Sequence, residues 1–163
     1  MEVRPATAGD VPAIRELAVD AWHAAHDHIL GEQAVAEVVD DWYDPADLRD
    51  QVARERGHFL VADDAGVVGF AHAGPSDDSY GDAVLPRIYV DPARWGDGTG
   101  TAMLGAVTDR LRADGHECLW LAVLAGNEVG RSFYESRGFE RVERREVELA
   151  GVETEDVVMA TDL

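Results

Sequence analysis

The sequence predicts an α+β domain, a mixed α/β arrangement in three layers, on three observations. Apolar residues recur at helical spacing through the first third of the chain and then switch to a period of two. One strand–helix–strand unit follows, and an alternating hairpin closes the chain. At 163 residues and 46% hydrophobic, the chain can bury one sizeable core. No internal repeat, low-complexity tract or linker divides it, so residues 1–163 read as a single domain.

Val3 to Ala6 is a short strand. Thr7-Ala8-Gly9-Asp10 is a turn, with Asp10 expected to cap a helix whose Pro12 sits in the tolerated first turn. Ile14, Leu17, Ala18, Ala21 and Trp22 carry that helix to about Ile29. Glu32 to Tyr43 is a second helix, apolar along Ala34, Val35, Val38, Val39 and Trp42. Asp44-Pro45 opens a third, to about Arg56. His58 to Ala62 and Val67 to Ala73 are strands of a hairpin around Asp63-Asp64-Ala65-Gly66. Pro75 to Gly81 is a polar loop. Val84 to Val90 is a strand in which Pro86 removes a donor, predicting a bulge or a one-sided edge. Thr99 to Ala113 is a helix along Met103, Leu104, Val107 and Leu111. Cys118 to Leu124 is a nearly continuous apolar strand, expected to be covered on both faces. Asn127 caps a helix from Glu128 to Arg137 that Gly138 closes. Phe139 to Leu149 and Val152 to Ala160 form the last hairpin around Ala150-Gly151.

Composition narrows function. Acidic residues number 33 against 14 basic ones, for a net charge of −19, and every basic residue is Arg. The acids are spread among periodic apolar segments, which argues for an acidic surface and against a disordered tail. Such a surface repels itself unless salt screens it, so a high-salt cytoplasm, as in a halophile, is expected. Without a basic stripe, nucleic acid is not an expected partner. No apolar run is long enough to span a membrane and no signal peptide is legible, so a cytoplasmic protein is expected. Cys118 is the sole cysteine and reads as a small buried hydrophobe.

Gly96, Gly98 and Gly100 stand between a Pro-ended strand and a helix. Glycines let a backbone approach a ligand, and a helix N-terminus adds unpaired N–H donors, so the stretch can cradle phosphate. A P-loop needs a lysine, which this chain lacks. The Gly-x-Gly-x-Gly spacing and single crossover fit a dinucleotide turn poorly. On the glycines alone, a simple turn and a phosphate cradle both stay open.

Two motifs resemble the GNAT superfamily of N-acetyltransferases. Ile88-Tyr89-Val90-Asp91-Pro92-Ala93-Arg94-Trp95-Gly96-Asp97-Gly98-Thr99-Gly100 is similar to its strand–turn–helix frame, Gln/Arg-x-x-Gly-x-Gly/Ala. Asn127-Glu128-Val129-Gly130-Arg131-Ser132-Phe133-Tyr134-Glu135-Ser136-Arg137-Gly138-Phe139 resembles Asn-x-x-Ala-x-x-Phe-Tyr-Glu-x-x-Gly-Phe. The likeness extends to the Arg4-Pro5-Ala6-Thr7 start. Trp95 stands at the Gln/Arg position, Asp97 where a basic residue is common, and Gly130 in place of Ala. None of these removes a backbone donor.

The resemblance implies a central, mostly antiparallel sheet with a splayed parallel pair and flanking helices. It implies acetyl-CoA as co-substrate, an amine acceptor, direct transfer in a ternary complex and, as one assembly open to the family, a homodimer. Pantetheine would pair with the backbone of Ile88, Tyr89 and Val90. N–H groups from Trp95 through Gly96, Asp97, Gly98, Thr99 and Gly100 to Thr101 would hold the pyrophosphate, with Arg94 the nearest guanidinium. Asn127 would contact the pantetheine arm, and Tyr134 would supply the thiolate's proton. The base is not legible. Relatives carry Glu where this chain has Val84 and Ala122, so Asp82 is the nearest carboxylate, followed by His72. Trp22, His26 and Tyr80 fall where acceptor contacts are expected. His23, His26 and His28 lack the accompanying ligands of a metal site, and none is expected. The alternative is a non-catalytic acyl-CoA-binding module on the same fold.

Overall fold

Residues 1–163, all of which the computed structural model describes, form one seven-stranded sheet with helices on both faces. β1 (Glu2–Pro5) precedes α1 (Val11–Leu30), α2 (Glu32–Trp42) and α3 (Pro45–Ala53). β2 (His58–Asp63), β3 (Val67–Pro75) and β4 (Ala83–Val90) lead to α4 (Thr99–Ala113). β5 (Cys118–Leu124), α5 (Glu128–Glu135), β6 (Glu140–Leu149) and β7 (Val152–Asp162) complete the chain. The strand order is β1-β2-β3-β4-β5-β7-β6. Every neighbouring pair is antiparallel except β4 and β5, which the α4 crossover makes parallel.

Alternation along β2 shows how the layers arise. Phe59 and Val61 face a core shared with Ile14 and Trp22 of α1, Val35 of α2 and Leu48 of α3. Leu60 points the other way, into a core with Leu104, Val107 and Leu111 of α4 and Leu119 of β5. Helices thus cover both faces, as the mixed pattern predicts.

Asp10 does not cap α1. Its carboxylate turns back to take the Thr7 N–H at 2.8 Å and both terminal nitrogens of Arg4, at 2.8 and 3.0 Å. Arg4 also reaches Asp63 of β2, so β1, the α1 entry and β2 are tied at one guanidinium. The Arg4 bond holds the Asp10 carboxyl down to about 2.

Pro86 sits at a bulge: His72 pairs with Arg87 but Gly74 with Val84, leaving one extra residue on β4. The second face of β5 is not packed as expected. Trp120 and Ala122 open onto a cavity, while Leu119, Leu121 and Val123 enter the core.

The β6–β7 hairpin sets Glu148 directly opposite Glu153 and Glu146 opposite Glu155. Arg144 pairs with Glu155, whereas Glu148 and Glu153 have no cation. Like charges across a ladder destabilise, and salt screens them. Glu148→Lys is expected to stabilise the fold by about 0.2–1 kcal/mol in dilute buffer, with the gain shrinking in multimolar KCl. Thermal melts at both ionic strengths check this, and an equal gain in both would rule out charge as the cause.

Candidate active site

β4 and β5 pair at only two positions, Ala83 with Leu119 and Val84 with Trp120, and then separate. The split begins just past Val84, beside Pro86, which cannot donate to a ladder. A cavity of about 590 Å³ fills the wedge and reaches the glycine turn at one end. Val147 and Leu149 of β6 and Asp156 of β7 bound the opposite side.

Gly96 and Gly98 adopt φ of 86° and 92°, left-handed values that side chains resist. The N–H groups of Gly96, Gly98, Gly100 and Thr101 have no acceptor in the protein. Those of Trp95, Asp97 and Thr99 are taken by the Pro92 carbonyl, the Arg94 carbonyl and the Asp97 carboxylate. The free donors therefore alternate and do not run unbroken from Trp95 to Thr101. Asp97 causes part of this, since its Oδ1 accepts from the Thr99 N–H at 3.0 Å and the Thr99 hydroxyl at 2.6 Å. Those bonds lower the Asp97 pKa and turn its charge onto the first turn of α4. Gly100 has a different duty, because a Cβ there would stand 3.0 Å from the Phe133 ring, so glycine lets α5 approach. Trp95 folds back, its indole donating to the Val90 carbonyl at 3.0 Å.

Arg94 is already paired, with Asp64 at 2.6 Å and Asp97 at 4.0 Å. Arg137, which the sequence reading did not single out, is the other cation at this end. Its guanidinium lies 3.9 Å over the Phe133 ring and donates to the Thr101 hydroxyl, with no carboxylate partner. Its place four residues after Phe133, on one helical face, was the available signal.

Asn127 both lines the cavity and caps α5, its Oδ1 accepting the Gly130 N–H at 2.9 Å. A Cβ on Gly130 would come within 2.7 Å of the Asn127 amide nitrogen, so the departure from Ala accommodates that side chain. Tyr134 lines the cavity too, its ring edge-on to Phe133 and Phe139 at 5.3 and 5.6 Å. Its hydroxyl has no partner among the protein's hydrogen bonds, and burial raises its pKa. The φ of 92° at Gly138 ends the helix and drops Phe139 into the core against Tyr134.

Ile88, Tyr89 and Val90 all line the wedge. Tyr89 turns its ring toward Trp22 and Phe70, each at 5.8 Å, on the α1 face. Ile88 and Val90 pack on the α4 face beside Met103. Trp22 and His26 are buried in the wall, with Trp22 Nε1 donating to the Tyr43 hydroxyl at 3.1 Å.

Asp82, by contrast, lies outside the cavity. It caps the start of β5, accepting from the Glu117 and Cys118 N–H groups and facing His116. These bonds lower its pKa and occupy both oxygens, the opposite of what a base requires. His72 stacks on Phe59 at 4.9 Å, also away from the wedge. Tyr80 is one step removed: its ring meets Trp120 at 5.2 Å, and its hydroxyl is held by Glu143. Val84 and Ala122 do face the wedge, leaving Asp156 its one lining carboxylate. Arg145 grips Asp156 through two bonds of 2.9 and 2.8 Å. Arg87, Trp120, Arg145 and Asp156 were all missed in the sequence, because only the β4–β5 split and the hairpin bring them together. No three His, Cys, Asp or Glu side chains assemble into a group able to hold a metal.

Comparison with known proteins identifies the family and the fold. Residues 11–139 match the model of the acetyltransferase (GNAT) family. An uncharacterized N-acetyltransferase, YuaI, of Bacillus subtilis is 29% identical over 163 residues, covering 95% of this chain and 89% of its own. The crystal structure of PaiA N-acetyltransferase from Thermoplasma acidophilum, in complex with coenzyme A, superposes with a TM-score of 0.84. It is 22% identical and covers 99% of this chain and 98% of its own. A ribosomal-protein-alanine N-acetyltransferase from Brucella melitensis superposes with a TM-score of 0.75 at 24% identity, covering 100% of both chains. The chain belongs to the GNAT acetyltransferase family.

Proposed function

We propose that this chain transfers an acetyl group from acetyl-CoA to a primary amine, on a small molecule or a protein N-terminus, directly within a ternary complex. The observation that carries the reading is the wedge between β4 and β5. It runs from the glycine turn, where Gly96 and Gly100, two of the four residues with free N–H donors, line it, to an unpartnered Tyr134 hydroxyl. The turn can hold a pyrophosphate on the Gly96, Gly98, Gly100 and Thr101 N–H groups, with Arg137 adding charge that no carboxylate cancels. The unpaired edge of β4 and the Asn127 amide can hold a pantetheine arm, whose own amides need such partners.

Acetyl-CoA enters as a substrate. The amine lone pair attacks the thioester carbonyl carbon, forming the C–N bond and an oxyanion; collapse then breaks the C–S bond and expels thiolate. Tyr134 offers the departing sulfur its O–H. The raised pKa keeps that proton in place at neutral pH but makes complete loss to the thiolate uphill. The phenol therefore acts by donating a hydrogen bond to the departing thiolate and keeps its own proton, and the expelled thiolate takes a proton from solvent once released. Asp156 is locked by Arg145 and Asp82 is outside, so water in the wedge carries the amine's proton away.

Thiol release from acetyl-CoA, followed with a panel of amines in multimolar KCl, tests the reading. Amine-dependent release is the expected result. Acetyl-CoA binding without release across the panel would instead make this an acyl-CoA-binding module.

A further inference from the structure

Four large aromatic side chains, Trp22, Trp42, Tyr89 and Trp120, line the cavity, with the Trp22 ring meeting those of Trp42 and Tyr89 at 5.4 and 5.8 Å. The charged residues lining the cavity are three arginines, Arg87, Arg94 and Arg145, against one carboxylate, Asp156. That positive excess lies inside a chain of net charge −19. Arg94 is spent on Asp64 and Arg145 on Asp156, so no free carboxylate faces the cavity. Arg87 is different. Its guanidinium lies 4.5 Å over the Tyr43 ring and donates to two neutral oxygens, Gln51 Oε1 and the Trp42 carbonyl, each at 2.6 Å. Its other N–H groups have no acceptor in the protein.

His26 provides a second, independent observation. It is 3% exposed, and its Nδ1 is sealed from solvent without a hydrogen-bond partner. Burial holds the imidazole pKa down to about 4, so the ring is neutral at pH 7. An orphaned buried N–H costs more than an unused lone pair, which puts the proton on Nε2. His26 lines the cavity, and Nε2 is its ring nitrogen that is not sealed off. The wall therefore offers an N–H donor near the Trp22 ring, 4.2 Å away between centroids.

Aromatic walls, N–H donors and no free carboxylate suit one kind of guest. We infer that the acceptor is a small amine bearing a carboxylate and an apolar body, an α-amino acid in kind, with Arg87 holding the carboxylate and the tryptophans the body. The inference rests on the acetyl-transfer reading of the same cavity. A planar guanidinium matches a carboxylate in geometry as well as charge, and the low-dielectric aromatic surround strengthens the pairing. A polyamine would meet Arg87 with nothing to offset its own charge.

The test compares L-tryptophan, L-phenylalanine and L-leucine with their decarboxylated twins, with spermidine, and with a short peptide amide bearing a free α-amine. Thiol release is read as kcat/KM, corrected to the neutral-amine fraction. The amino acids should exceed their twins by about tenfold or more, the scale of one charge-assisted pair. Arg87→Gln should erase that ratio while the twins' own rates hold within about twofold. Twins, spermidine or the peptide matching the amino acids would overturn the inference and leave acetyl transfer standing. So would an Arg87→Gln loss shared equally by all acceptors, the mark of a merely structural arginine. Should that variant not fold, the wild-type ratios decide alone. Absence of release with any acceptor, while acetyl-CoA binds, overturns acetyl transfer along with it.

Discussion

Tyr134→Phe is expected to lower turnover by about a hundredfold while moving the dissociation constant for acetyl-CoA by less than about twofold. The substitution removes one oxygen and keeps the ring that packs edge-on to Phe133 and Phe139. The hydroxyl has no partner in the folded chain, so its loss orphans no donor or acceptor and stability should hold. Only an interaction made as the C–S bond breaks is lost, which is why kcat falls and binding does not. Because burial raises the Tyr134 pKa above its usual value near 10, this phenol contributes no descending limb to the rate profile of the wild type around neutral pH. Thiol-release kinetics and calorimetric titration with acetyl-CoA check the two halves. Unchanged kcat would remove Tyr134 from the chemistry, and a matching loss of affinity would place it in recognition.

The parts of this protein that were legible in its sequence are those set by local periodicity. The helices of residues 11–53, the Asp63–Gly66 hairpin and the two motif-bearing turns follow from patterns within a dozen residues. Pro86 is the most informative single residue. A proline inside an apolar strand forecast the bulge, and the same missing donor lies where β4 parts from β5.

What could not be read depends on contacts distant in sequence. Asp10 looked like a helix cap because nothing nearby shows that Arg4 would claim its carboxylate from β1. Asp82 looked close to the chemistry because it adjoins β4, but the wedge opens at the strand's other end and Asp82 serves the β5 entry. Arg87 and Arg145 gave no signal at all, since arginines in strands are ordinary until a parted ladder sets them around one cavity.

The second large effect concerns acid. His26 and His72 are held down to about 4 by burial, against 6.5 for free imidazole, so both stay neutral when the unfolded chain has already taken up protons. In that interval the unfolded state binds more protons, and stability must fall as pH falls from about 6.5 toward about 4. A shift of this size corresponds to roughly 3 kcal/mol for His26, which is 3% exposed, and to less for half-buried His72. Asp10 acts in a separate window, its stabilisation persisting until pH drops through about 3.8 toward 2. Protonation of surface carboxylates also relieves the repulsion of a net charge of −19, but mostly below pH 5 or so. The interval between about pH 6.5 and 5 therefore isolates the histidines. Urea unfolding across it in multimolar KCl should show a steady loss. His26→Phe, which keeps an aromatic ring against Trp22 and Tyr89 and removes one of the two titrating groups, should cut the slope to what His72 alone leaves. A slope unchanged in that variant would mean the buried imidazole is not what acid attacks.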